Sequence, residues 1–238
     1  MSTLPPMPSV GAQHIVRSYD EALKRLQDAL ARMAGLAELQ LATALTALER
    51  RDSATAARVI ADDPLVDECE AFINDHTVRL LALRAPLADD LRMVIATLKA
   101  AGDIERIADH AANTAKRTLV LNQMPAVAPV RSLVRMGKLA GELLGESLSA
   151  FLGHDAERAL TARSRDQEVD SLYSSLFREI VTYMMEDPRT ITACTHLMFL
   201  AKNFERIGDH ATNIAEMTYF LATGRSLKDS RPKLDSLS

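Results

Sequence analysis

The chain has no tryptophan, and aromatic residues make up only 4% of its 238 positions. Sheets draw on aromatic and β-branched side chains, so a chain poor in these and rich in Ala and Leu leans towards helix. Only two cysteines are present, Cys69 and Cys194, far apart and both in expected helices. They suggest no disulfide framework and read as small buried thiols of a reducing compartment. No run approaches the roughly 18 uncharged apolar residues that a spanning helix needs, so membrane insertion is not expected and any membrane contact would run through a partner. Residues 1–11 are proline-rich and lack Lys and Arg, unlike a signal peptide, and the expected location is cytoplasmic. Neither charge sign dominates: 28 basic and 32 acidic residues give a net −4, mixed throughout, which leaves no basic footprint for nucleic acid. A Walker-type glycine loop, a nucleophile elbow and a His-Glu-x-x-His motif are all missing. The chain therefore reads as a binding protein and not as an enzyme.

What is present is apolar periodicity. Hydrophobic residues make up 47% of the chain, enough for a sizeable core. Val16, Tyr19, Leu23, Leu26, Leu30 and Met33 alternate steps of three and four, which predicts a long helix over about 10–50. At about 1.5 Å per residue it would reach roughly 60 Å, the proportion of an elongated bundle. A short piece follows to about 61. Asp63-Pro64 reads as an N-cap with proline at the first helical position, opening a helix to about 84. Pro86 opens another, ending near Leu121, and 122–129 is the linker. The order then repeats, with helices over about 130–152, 155–163 and 165–186. Asp187-Pro188 is a second cap-plus-proline start, for a helix to about 222, with Gly224 as its stop. The expected architecture is all-α, two tandem three-helix bundles over 10–124 and 125–224. Residues 1–9 and 225–238 read as flexible tails.

The duplication also reaches the polar residues. Glu105-Arg-Ile-Ala-Asp-His-Ala-Ala-Asn-Thr-Ala115 matches Glu205-Arg-Ile-Gly-Asp-His-Ala-Thr-Asn-Ile-Ala215 at 8 of 11 positions. Shared helical composition would repeat the apolar positions, not Glu, Arg, Asp, His and Asn together. Upstream, Asp63-Pro-Leu-Val-Asp67 answers Asp166-Gln-Glu-Val-Asp170, so each half carries two acid-x-x-x-acid pairs. Leu197, Leu200, Phe204, Ile207, Ala211, Ile214 and Leu221 form a heptad seam facing the core. At about 100° per residue, Glu205, Asp209 and Asn213 line up away from it, as do Glu105, Asp109 and Asn113, facing an outer groove. Like charges at i and i+4 destabilise a helix by roughly 0.2–0.5 kcal/mol a pair. Arg106 and Arg206 relieve part of this if they reach Asp109 and Asp209. A solvated face is the plain reading of such acids; a hard or transition-metal cation bridging them would remove the repulsion. His110 and His210 flank the seam and read as packed residues in preference to ligands.

These doubled motifs, spaced a hundred residues apart, resemble the PhoU family, and the resemblance covers nearly the whole chain. It implies two three-helix bundles related by a pseudo-two-fold axis. It implies one metal site at Asp63, Asp67, Glu105 and Asp109 and another at Asp166, Asp170, Glu205 and Asp209, holding Fe, Zn, Mn or Mg. It further implies a homodimer that negatively regulates phosphate uptake and the phosphate-starvation response. Its partners would be the ATPase subunit of a phosphate ABC transporter, which would hold it peripherally at the inner membrane, and a phosphate-sensing histidine kinase. Thr114 for Ile214 and Asp103 for Asn203 are departures of the first half from the second that leave the acid pairs intact. Two alternatives stand beside this reading. One is a helical scaffold without metal. The other is a ferritin-like di-metal carboxylate enzyme, but such sites use Glu-x-x-His pairs, and none of the six histidines has Glu three residues before it.

Overall fold

The computed structural model describes residues 10–84 and 86–227, with the backbone alone for 10–18 and 84. Of the expected tails, 1–9 and 228–238 lie outside the described residues, as does the side chain of Val16. The described residues form helices and no strand. The first bundle comprises α1 (Val10–Arg50), α2 (Ser53–Asp62), α3 (Pro64–Arg84) and α4 (Ala88–Leu121). The second comprises α5 (Val130–Gly153), α6 (Ala156–Glu186) and α7 (Ile191–Thr223), with a single 3-10 turn at Pro188–Thr190.

Helix ends follow local chemistry. Asp52 caps α2 by accepting from the Ala54 and Thr55 amides, and Asp155 caps α6 through the Arg158 amide. Asp187, extended, accepts from the Arg189 amide, and Gly224 ends α7 at φ 68°, in the left-handed region glycine favours. Two expectations are corrected. Asp63 is not an N-cap: it keeps helical angles (φ −50°, ψ −45°) because α2 runs on into α3 with no reversal of the chain. Its carboxylate instead accepts from Gln40 Nε2 at 2.8 Å. In the second half the break near Ser164 does not occur. Gln167 stands where the first half has Pro64, so no amide is missing, and α6 continues unbroken to Glu186.

The seven seam residues of α7 are all buried, as are Leu26, Leu30 and Met33 of α1, while Tyr19 and Leu23 pack partly buried against them. The two bundles are not separate cores. One apolar cluster runs through both, joined where α1 packs on α5 and α4 on α7. Gly137 makes the first junction possible: a Cβ there would stand 2.3 Å from Leu45 Cδ2 and 3.0 Å from the Phe204 ring. Leu41 lies against Gly141 and Glu38 against Gly145, so α1 and α5 cross antiparallel at close range. The second junction carries polar groups, and beside it lie the acids.

Candidate metal centre

Helix α4 buries Ile104, Ile107, Ala108 and Ala111, and α3 buries Val66, Cys69 and Ile73. Those stripes pin the two helices so that Asp63, at the α2–α3 junction, and Asp67 and Glu70 of α3 come beside Glu105 and Asp109 of α4. Asp63 is pushed above the usual carboxylate range, first by partial burial and then by the charges of Asp109 and Asp67, against the Gln40 hydrogen bond and Lys116. Glu105 is raised the same way, by burial and then by Asp109, Glu70 and Asp67, with Arg106 opposing. Five carboxylates thus share one field. Glu70 is the member that i, i+4 reasoning missed; it sits one turn beyond Asp67, and that spacing was the available signal.

The second group is built differently. Glu205 is 14% exposed and its carboxylate meets Lys202 Nζ at 2.7 Å, where the first half has Gly102. Asp166 reaches α7 from α6: a Cβ on Gly208, the neighbour of Asp209, would lie 3.4 Å from its Oδ1. Asp166, Asp170 and Asp209 each make further contacts. Asp109 and Asn113 are exposed, as an outer groove requires, but Glu105, Glu205, Asp209 and Asn213 are only partly so.

The supporting residues divide. Arg106 is exposed and makes no ion pair with Asp109; it lines a 540 Å³ hollow between the halves together with Asp103 and Asn213. Arg206 is also exposed, and its charge is felt by His110. Asn213 donates to Asp103 Oδ1 at 3.0 Å, across the α4–α7 junction. His210 Nδ1 meets the same oxygen at 2.7 Å, and the His110 and His210 rings stack with centroids 6.0 Å apart. Asn203 faces His110, and His110 Nδ1 and Asn203 Nδ2 are both buried without a hydrogen bond. Half a turn of the amide, a choice that hydrogen-bond networks decide, brings its oxygen to an imidazole N–H. Burial, the neighbouring His210 and Arg206 hold His110 down to about 4. Both histidines are therefore packing residues of the junction.

Among the described residues no three His, Cys, Asp or Glu side chains are already gathered around one point as ligands. The first group nevertheless fits a hard cation in its donor chemistry: it consists of carboxylate oxygens alone, and Asp63 and Glu105 are raised by burial and then by their neighbours' charge. Asp63, Asp67, Glu105 and Asp109 would hold such an ion, which would supply the missing positive charge. In the second group an ion would compete with Lys202 for Glu205.

The fold and these carboxylates define a duplicated helical-bundle protein with one acid group in each half. The PhoU domain family is matched over residues 30–118 and 133–218. A phosphate-specific transport system accessory protein PhoU homolog of Caulobacter vibrioides is 49% identical over 227 residues, 95% of this chain and 99% of that protein. The crystal structure of PhoU from Pseudomonas aeruginosa superposes with a TM-score of 0.85 at 36% identity, covering 87% of this chain and all of that one. That of the phosphate transport system regulatory protein PhoU from Streptococcus pneumoniae gives 0.81 at 31% identity over 89% of this chain and all of its own. The chain belongs to the PhoU family.

Proposed function

We propose that the protein is an accessory regulator of phosphate transport that binds metal at its acid groups and represses phosphate uptake and the phosphate-starvation response. In this reading it is a cytoplasmic homodimer that links the ATPase subunit of a phosphate ABC transporter to a phosphate-sensing histidine kinase. Its relatives carry the names of phosphate transport accessory and regulatory proteins. No helix among the described residues is long and apolar enough to cross a membrane, so the transporter would supply the membrane contact. The carrying observation is the first acid group, five carboxylates in one field at the start of α3 and on α4, with two of them raised. Without a counter-ion that arrangement works against the fold; with Fe, Zn, Mn or Mg it becomes a rigid charged surface for a partner. Arg106, at the edge of this surface, and Arg206 would orient contacts. Asn113 is exposed beside Asp109.

The test is a deletion strain grown in phosphate-rich medium with a phosphate-starvation promoter reporter. The reporter should switch on, and a copy carrying Asp63→Asn, Asp67→Asn and Asp109→Asn should restore repression poorly. A silent reporter with unaltered phosphate uptake would rule the regulatory reading out. The Lys202–Glu205 pair favours a second reading for the second half alone, in which its acids are neutralised internally and act as scaffold. The ferritin-like enzyme gains nothing from the core, which among the described residues buries no carboxylate.

A further inference from the structure

Matching features fix the register between the first two helices of each half. The capping aspartates Asp52 and Asp155 lie 103 residues apart, as do Asp63 and Asp166, and Asp67 and Asp170. So do the two left-handed residues, Arg51 at φ 54° and His154 at φ 52°. The same step carries the buried stripe of α1 onto that of α5, Leu30 onto Leu133, Met33 onto Met136 and Leu41 onto Leu144. Within that stripe a long polar side chain stands where the other half has an aliphatic one: Gln40 falls on Leu143. Gln40 is 7% exposed and Leu143 0%. A leucine therefore fits this place in the fold, and packing alone gives no reason for an amide. Glutamine is the costlier residue to bury, since it loses more rotamer freedom and has polar ends that must be bonded.

One end of the amide is bonded. Gln40 Nε2 donates to Asp63 Oδ1 at 2.8 Å, reaching from α1 to the α2–α3 junction. The carboxylate decides which end of the amide faces it, because two oxygens would repel. The other end, Oε1, is buried without a hydrogen bond. It leaves beside Asp63 an acceptor that no group among the described residues uses, and a water carried by a hard cation is a donor of the kind it lacks. The donor on Asp63 is also neutral. An ion arriving there displaces no charge, whereas one arriving at Glu205 meets the Lys202 ammonium.

We propose that Gln40 is a positioning residue of the first metal site, holding one oxygen of Asp63 so that the carboxylate meets the cation already oriented. Donors behind a ligating carboxylate fix its rotamer before the ion arrives, so the ordering is not charged against binding. Leu143 has no donor and cannot do this for Asp166. The inference rests on the reading that the first acid group binds metal, and it adds a residue of α1 to a site otherwise built from the α2–α3 junction, α3 and α4.

The probe is manganese, titrated by equilibrium dialysis with elemental analysis into the chelator-treated full chain carrying Asp209→Asn, which leaves the first group to be read alone. Gln40→Met and Gln40→Leu should each weaken binding about tenfold or more. Neither should lower the melting temperature of the metal-free protein, because each removes a buried unbonded oxygen. Methionine keeps the length of glutamine and leucine is the second half's own choice, so if one disturbs packing the other still reads the effect. A double-mutant cycle separates positioning from structure: in an Asp63→Ala background the same two substitutions should change the affinity by less than about twofold. An equal loss with and without Asp63 would make Gln40 merely structural and overturn the inference. Manganese bound by the parent and by both variants with one affinity would overturn it too, leaving the metal reading intact. A parent that takes up no manganese would end the metal reading and this inference together.

Discussion

Asp103 and Asn203 occupy equivalent places on α4 and α7, one charged and one neutral, and each faces the other half's histidine. Asp103 is 14% exposed and accepts from Asn213 and meets His210 with one oxygen. Removing it strands two part-buried polar groups, so Asp103→Ala should cost about 1–3 kcal/mol, read as a fall in melting temperature. Asp103→Asn keeps an acceptor and should cost less. His110 supplies a pH test on chelator-treated protein. Its folded value of about 4 lies below the ordinary 6.5, so its contribution is full above pH 6.5 and is lost as pH falls towards 4. Asp63 and Glu105 are raised, which has the opposite sign and favours the folded state as pH falls. The melting temperature of the parent should therefore drop relative to His110→Gln between pH 6.5 and 4, isolating the histidine; parallel curves would remove it as the cause. The acids and histidines were legible in the sequence because the motif repeats them. The role of Asp103 was not, because it depends on α4 and α7 crossing, which no single helix's periodicity contains.

At the scale of elements, the helices were legible where pattern and punctuation agreed. The long α1, the linker after Leu121, the Asp187-Pro188 start and the Gly224 stop all follow from apolar spacing plus turn chemistry. The unbroken α6 was misread because a polar stretch around Ser164 resembles a boundary. In the structure Ser164 Oγ simply bonds back to the Thr161 carbonyl, and Arg165 is tied to Glu142 and Glu146 of α5. Helix approach distances were beyond reach, since they depend on which faces meet. Gly137 tests this. A β-branched side chain there meets both Leu45 and the Phe204 ring, so Gly137→Val should destabilise by about 1–3 kcal/mol by forcing α1 away from α5. Gly35 is the matched control, because a Cβ there meets nothing within 4 Å. Gly35→Ala should stabilise α1, by up to about 1 kcal/mol. Denaturant melts that show the same sign for both variants would mean that the α1–α5 contact is looser than its geometry.

Across the whole molecule, duplication supplies two acid groups but not two equal ones. In the first, Lys116 opposes the shift of Asp63 and Arg106 that of Glu105, yet burial and then the neighbouring carboxylates leave both raised. In the second, Lys202 already sits on Glu205. A divalent ion entering the first group relieves repulsion; one entering the second must displace an ammonium. Manganese titration of the chelator-treated protein, followed by elemental analysis and thermal shift, should therefore resolve a tight and a weak component. Asp109→Asn should remove the tight component and Asp209→Asn only the weak one. Lys202→Gln should strengthen the weak component towards the tight one, which a merely structural lysine would not do. Without metal, Asp109→Asn should be as stable as the parent or more so by about 0.2–0.5 kcal/mol, because a like-charge i, i+4 pair is gone. Metal content that is absent under every growth condition, together with a melting temperature unmoved by Mn or Mg, would return these acids to a solvated face. The family fold would then act through its helical surfaces alone.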